Sequence, residues 1–401
     1  MNKKALSDVR VIDFGHVLAG PTAAMILADL GAEVIHIEPF SGDDSRHFGP
    51  FLKGHSAYFM SVNRNKKSLA VNLKKEAGKD IVERLLACSD VVIENFRPDV
   101  MEKLGLAYDE VKKINPGIIY ASISGFGHDC LPEYKNRPSY DIIAQAYSGF
   151  MSITGTENGE TVRAGSSIGD IIAGHQCAIS ILAALHYREQ TGEGQRIDQA
   201  MVDGLVYTLE NAIVRHSVSG ETPVPLGTKH PSITPFQAFK TLDGRLVLPV
   251  GNNSLWKKFC SALGEEAWVD DERFATNEKR TSNREVLVSM IQEVLGGKTS
   301  EHWQTLFRDM GVPCGPVNPV PDVVSDKNLL YRKMIVEIEQ QGAGKLTLAG
   351  SPFKMSKTPG EVRAPAPLLG ENTRQVLSQV VGCTDEEIDS LIEQKVILAV
   401  K

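Results

Sequence analysis

Paired cysteines, excess positive charge and long apolar runs are all missing from this chain of 401 residues. The six cysteines, Cys88, Cys130, Cys177, Cys260, Cys314 and Cys383, are far apart and form no C-x-x-C pair. That spacing excludes the common zinc and dithiol motifs and points to free thiols in a reducing cytoplasm. His175 and Cys177 flank Gln176, but residues two apart on a helix do not face each other, so no metal site is assigned. With 43 Lys and Arg against 50 Asp and Glu, the formal net charge is -7, which argues against a general nucleic-acid or membrane-surface binder. No apolar run reads as a membrane span, and the polar start, Met1 to Asp8, has no signal-peptide core. No G-x-G-x-x-G follows the first strand, and Gly342-Ala-Gly-Lys345 lacks the first glycine and the Ser/Thr of a P-loop.

What is present is an alternation of strand and helix signals. Val9 to Phe14 reads as a buried strand, Pro21 opens a helix that stops at Gly31, and Glu33 to Glu38 is a second strand. Further strands are expected at Ser68–Leu73, Asp90–Phe96 and Ile118–Ser124, with a helix over Glu76–Ser89. Strands alternating with helices predict an α/β fold, a large Rossmann-like doubly wound parallel sheet. Prolines 223, 225 and 231 mark a linker over residues 220–232. The large domain is then expected over 1–219, a small α/β domain over 233–325, and a return linker and C-terminal part of the large domain over 326–401. The small domain should contain a β-hairpin around Asp243-Gly244, and Thr384-Asp-Glu-Glu387 predicts a helix start with a capping box.

In open α/β sheets ligands bind at strand exits, which makes Glu94, Asn95 and Arg97 candidates, with Lys103 further on. Arg64, Lys66, Lys67, Lys74 and Lys75 form a basic cluster that is a candidate for ligand phosphates. Small residues in Gly165-Ser-Ser-Ile-Gly169 lead to Asp170, which begins a long apolar helical stretch. Asp170 reads either as an N-capping aspartate or as a reactive carboxylate. The same five residues match the G-x-S-x-G of serine hydrolases, with Ser167 as nucleophile, but no apolar strand precedes them and His175 follows too closely to be the partner.

Several segments together resemble the family III CoA-transferases, also called the CaiB/BaiF or formyl-CoA transferase-like family. They are Val11-Ile-Asp-Phe14 with Ala19-Gly-Pro21, Gly31-Ala-Glu-Val34, Asn65-Lys-Lys-Ser68, Glu94-Asn-Phe96, Tyr140-Asp with Ala144-Gln145, Gly169-Asp170, Thr191-Gly-Glu-Gly-Gln195 and Leu368-Leu-Gly-Glu-Asn-Thr373. The resemblance implies that Asp170 attacks an acyl-CoA thioester and passes CoA to a carboxylic acid through an aspartyl anhydride and an aspartyl-CoA thioester. A carboxylate suits this task because its anhydride and thioester remain activated. The resemblance also implies CoA contacts at Val17, Leu18, Val71, Asn72, Leu73, Lys74, Asn95, Phe96, Arg97, Lys103 and Tyr140, and a covering loop at Gly251, Asn252 and Asn253. Pro39 stands where the family can place a basic residue for the 3′-phosphate.

Two interlocked chains, a cytoplasmic homodimer, are the assembly the resemblance implies. The competing reading within the same fold is a 2-methylacyl-CoA racemase, but Tyr140 occupies the position of its histidine. Leu18 and Phe48 stand where formyl-CoA transferases place a glutamine and a tryptophan. His16, Arg46 and His47 are candidates to face a second carboxylate, favouring succinate, glutarate or malate as the acid. An aspartate at a helix N-terminus is expected to stay ionised, so activity should persist well below neutral pH.

Overall fold

A computed structural model describes residues 3–400. The chain divides into two compact units. One is built from residues up to 151, residues 163–217 and residues from 327 onward; the other contains residues 152–162 and 218–326.

The larger unit holds a seven-stranded sheet: β1 (Arg10–Asp13), β2 (Glu33–Glu38), β3 (Lys66–Val71), β4 (Val91–Glu94), β5 (Ile119–Ser124), β6 (Gln195–Ala200) and β7 (Ile397–Leu398). The spatial order is β7-β3-β2-β1-β4-β5-β6. All neighbours are parallel except β7, which adds antiparallel to β3 through the Ile397↔Val71 register. The inner strands are buried on both faces, which is why they read as nearly continuous apolar runs. Helices named below are α1 (Ala19–Asp29), α2 (Glu76–Ala87), α3 (Asp141–Tyr147), α4 (Ile168–Thr191) and α5 (Asp385–Glu393). On one face α1 and α4 pack over Val11, Val34, Ile93 and Ile119; on the other α2 and α5 pack over Ile12, Ile35, Leu69 and Val92. The capping box expected at Thr384 is present at the start of α5.

Two features depart from the sequence expectations. Strand β7 has only two residues, too short to show a period in the sequence. Helix α4, among the described residues, is long and apolar enough by length and composition to cross a membrane. Its apolar residues are accounted for by packing: Ala173, Cys177, Ile181 and Ala184 are in the core on the α1 side of the sheet. Helices α1 and α4 approach closely at Gly174. A methyl group at Gly174 would lie 2.8 Å from Thr22 Cβ and 2.9 Å from the Ala19 carbonyl oxygen.

At the carboxyl ends of β1 and β2 lies a buried polar cluster, which Lys66 joins from the start of β3. Lys66 Nζ donates to Asp13 Oδ2 at 2.8 Å, Asn63 Oδ1 at 2.8 Å and the Pro21 carbonyl at 3.1 Å. Its side chain and that of Asp13 have no solvent exposure. His36 Nδ1 is 3.2 Å from Asp13 Oδ2. Burial opposes the charged forms of both His36 and Asp13; their mutual attraction, with Lys66 beside Asp13, outweighs it and leaves His36 raised and Asp13 lowered. Glu38 is gripped by Arg46 Nε and Nη2, each at 2.7 Å, and accepts from Ser68 Oγ at 2.6 Å. Despite burial, these partners lower Glu38 to about 2.

In the smaller unit Phe236–Lys240 and Arg245–Pro249 form the expected hairpin, extended by Gly315–Pro316 into three antiparallel strands. Its core gathers Trp256, Phe259, Phe274, Trp303 and Phe307.

Removing one partner of a buried ion pair strands the other charge, at a cost of about 3–5 kcal/mol. Lys66→Met should therefore lower the urea-unfolding free energy by about that amount, whereas Lys113→Met, in an exposed pair with Glu110, should change it by less than about 1 kcal/mol. Equal effects of the two substitutions would contradict the role assigned to the buried cluster.

Candidate active site

Strand order reverses between β1 and β4, because β1 leads to β2 and β3 on one side while β4, β5 and β6 lie on the other. A crevice at such a switch point is the expected ligand site of an open α/β sheet. Its first wall is the loop after β1. Asp13 Oδ1 accepts the Gly15 N–H at 2.8 Å, and the Asn95 amide brackets the His16 backbone, accepting its N–H at 2.6 Å and donating to its carbonyl at 2.9 Å. Val17 follows at φ +62°, a left-handed conformation that strains a β-branched residue. Its N–H donates to Asp43 Oδ2 at 3.3 Å. A methyl group at Gly20 would meet Gly15 Cα at 2.8 Å, so only glycine allows the loop to close on itself.

The cleft in front of this loop has a volume of about 440 Å³, within the range of small-molecule sites. His16, Val17, Leu18, Asn95, Phe96, Arg97, Tyr140 and Asp170 all line it, although they come from four separate stretches of chain. His16 packs edge-on against Phe96, with ring centroids 4.4 Å apart. Burial lowers the His16 pKa, and Asp43 only partly offsets that effect.

Asp170 is not the cap of its helix: Ser167 occupies that position, and Asp170 lies in the first turn of α4. Among the described residues its carboxylate accepts no hydrogen bond. Burial, and then the charge of Asp141, push Asp170 up to about 7. This overturns the expectation of a carboxylate held ionised well below neutral pH, because helix-end N–H groups act weakly when no bond is formed and the surroundings exclude water. Tyr58, absent from the sequence reading, feels the same charges: burial and then Asp170 and Asp141 raise its phenol.

Other expectations are redistributed. Val71 is 2% exposed and its side chain belongs to the core, while Asn72, Leu73 and Lys74 follow it at the same carboxyl edge, two strands from β1. These four, Lys103 and Phe48 lie outside the cleft lining. Phe48 is 42% exposed and packs edge-on against Tyr58. Arg46 cannot serve a second substrate carboxylate: it is engaged by Glu38 and lies 3.6 Å over the Phe59 ring. His47 is exposed, with Nε2 3.3 Å from the Ser41 carbonyl. The basic cluster also disperses, since Arg64 pairs with Asp29, Lys66 with Asp13 and Lys67 with Glu33. In the smaller unit Asn252 caps a helix through the Leu255 N–H, and Asn253 Oδ1 accepts from the buried Arg280. Ser167 is no hydrolase nucleophile by geometry: irregular chain precedes it, and His175 turns back to the Ile171 carbonyl at 2.8 Å.

The sequence reading missed Arg137, Ser139 and Met201 in the lining. Arg137 and Ser139 lie neither at a strand exit nor in a charged run; Met201 directly follows β6, and that strand exit is the signal that could have found it. Glu94 was named, but its carboxylate turns inward to accept the Phe96 N–H at 2.9 Å, and burial pushes it up to about 7.

The sequence profile of CoA-transferase family III matches residues 6–373. The chain belongs to that family. This CoA-transferase is 40% identical to the mouse (Mus musculus) succinyl-CoA:glutarate CoA-transferase over 97% of its own length and 89% of the relative's. It is 38% identical to the succinate–glutarate CoA-transferase of Agrobacterium fabrum, covering 94% of this chain and 96% of that one. A crystal structure of a CAIB/BAIF family protein from Brucella suis superposes with a TM-score of 0.84 at 35% identity, covering 95% of this chain and 100% of that one. The substrates of a CoA-transferase are CoA thioesters.

Asn95 is best read as the tie between the exits of β1 and β4. Asn95→Ala frees the His16 backbone, and CoA-transfer kcat/KM should fall roughly tenfold or more, since a displacement of an ångström can cost a hundredfold. An unchanged kcat/KM would remove the tie from any role in activity.

Proposed function

We propose that this enzyme moves CoA from an acyl-CoA donor to a small dicarboxylic acid, with Asp170 as the nucleophile. The observation that carries the reading is the placement of Asp170, a carboxylate free of hydrogen bonds at the switch-point cleft. Its oxygen attacks the thioester carbonyl, the C–S bond breaks, and CoA leaves as thiolate from a mixed anhydride. The thiolate then attacks the Asp170 carbonyl, releasing the donor acid and leaving an aspartyl-CoA thioester. The acceptor carboxylate attacks that thioester and forms a second anhydride; thiolate attacks its acceptor carbonyl, giving the new acyl-CoA and free Asp170. Every bond broken is replaced by one of similar activation, so no external energy source is needed.

Apolar walls from Val17, Leu18, Phe96 and Met201 limit water at the anhydride stage. Asn95, Phe96, Arg97 and Tyr140 are assigned to CoA at the cleft, with Lys103 and the Val71-to-Lys74 segment receiving its distal part along the sheet edge. Gly251 to Asn253 is assigned as the cover. Succinate and glutarate are the favoured acids, on the names of the mouse and Agrobacterium relatives and on His16 at the cleft wall. An interlocked homodimer in the cytoplasm is the favoured assembly and location. Tyr207 and Val218, each more than four-fifths exposed, are apolar surface that a second chain would cover.

Incubation with succinyl-CoA followed by hydroxylamine or borohydride should modify the peptide containing Asp170. Asp170→Ala should abolish both labelling and transfer, while Ser167→Ala retains most activity; no label with several acyl-CoA donors would rule out the mechanism. Because the ionised carboxylate attacks, the acylation rate should fall as pH is lowered through about 7. Light scattering should give twice the 43.8 kDa of one chain.

A further inference from the structure

Asp141 opens α3 and is only 7% exposed. Its Oδ1 accepts the Gly169 N–H at 2.8 Å and its Oδ2 accepts Gln145 Nε2 at 2.7 Å. Gln145 Oε1 in turn accepts the Ala164 N–H at 2.9 Å. One carboxylate thus holds, directly and through one amide, both ends of the small-residue stretch that delivers Asp170. Each of its oxygens acts as an acceptor. Among the described residues no cation pairs with it, so its charge is left facing Asp170.

We propose that Asp141 is a positioning residue of the transfer reaction, fixing the backbone immediately before Asp170 and placing a negative charge beside it that attack on the thioester relieves. Once Asp170 is acylated it no longer carries charge, and the repulsion between the two carboxylates disappears. Asp141 therefore destabilises the free nucleophile relative to the acyl-enzyme, which favours attack. The upward displacement of Asp170 agrees with this geometry. The other titratable or charged groups facing Asp170 are His16, Asp44, Tyr58, Arg97, Arg137 and Tyr140. Asp141 differs from them in being bonded to the backbone next to the nucleophile.

The inference rests on Asp170 as nucleophile, and one experiment separates the two. Single-turnover labelling by succinyl-CoA is followed between about pH 5 and 9 in the wild type, Asp141→Asn and Asp141→Glu. Asparagine keeps an oxygen for the Gly169 N–H but removes the charge. The labelling midpoint should move about one pH unit lower while the plateau rate falls roughly tenfold. Asp141→Glu keeps the charge and should hold the wild-type midpoint even if its plateau falls. Labelling of Asp141→Asn with the wild-type midpoint overturns the inference and leaves the nucleophile intact; no label in the wild type overturns both. If Asp141→Asn fails to fold, infrared difference titration of the wild type against Asp170→Asn decides. Two coupled carboxyl steps are expected, and titration of Asp170 as an isolated carboxyl near its ordinary value would refute the proposal.

Discussion

The loop that lines the cleft rests on a buried ion pair. Asp13 ends β1, and its two oxygens face different tasks: one accepts from Gly15 and starts the turn, while the other is held by Lys66 from the neighbouring side of the sheet. The turn carries the strain at Val17, and that strain is sustained because Asp13, Asp43 and Asn95 each hold a different backbone group of the same few residues. Three buried carboxylates, Asp13, Glu38 and Asp43, would repel one another without compensation. Lys66, His36 and Arg46 supply it, and Glu38 in turn bonds the Asp43 backbone, so the charges on adjacent strand ends form one connected support. Burial makes such a support costly to break and gives it little freedom to move.

Asp170 lines the same cleft under different rules. Gly15, His16 and Val17 each donate a backbone N–H to a side-chain oxygen, whereas among the described residues the Asp170 carboxylate accepts none. A carboxylate surrounded by donors would be a stable ion and a poor attacker; one that is partly desolvated beside a second carboxylate is a better attacker at the expense of needing a higher pH. The cleft therefore combines a loop tied down by hydrogen bonds with a carboxylate that carries none among the described residues.

Much of the large sheet was legible because its inner strands are covered on both faces and its helices carry clear starts and stops. Val11, Ile12, Val34 and Ile35 alternate between two cores, so both faces demand apolar residues. The motifs at residues 16–18, 94–97, 140 and 170 could be named individually, but their convergence depends on strand order, which local patterns do not encode. The basic cluster misled for a related reason. Lys66, Lys67 and Arg64 look alike in sequence, yet period-two alternation and neighbouring acids send them to three different partners. Asp141 was quoted only as part of a motif, since nothing local reveals that its oxygens reach Gly169 across 28 residues. Environment, rather than residue type, also decides the protonation of Asp170.

Gly174 gives the contact between α1 and α4 one further meaning. It stands four residues after Asp170, so both lie on one side of the helix, a turn apart. Where a side chain would normally separate two helices, this site has a hydrogen atom facing the Thr22 side chain and the Ala19 carbonyl oxygen. The distance from Asp170 to the loop is consequently set by the α4 backbone against Ala19 and the stiff, β-branched Thr22, with no long side chain in between to repack. That makes the spacing a gauge with few moving parts, and any added carbon at residue 174 would act as a shim, tilting Asp170 relative to the cleft without touching it.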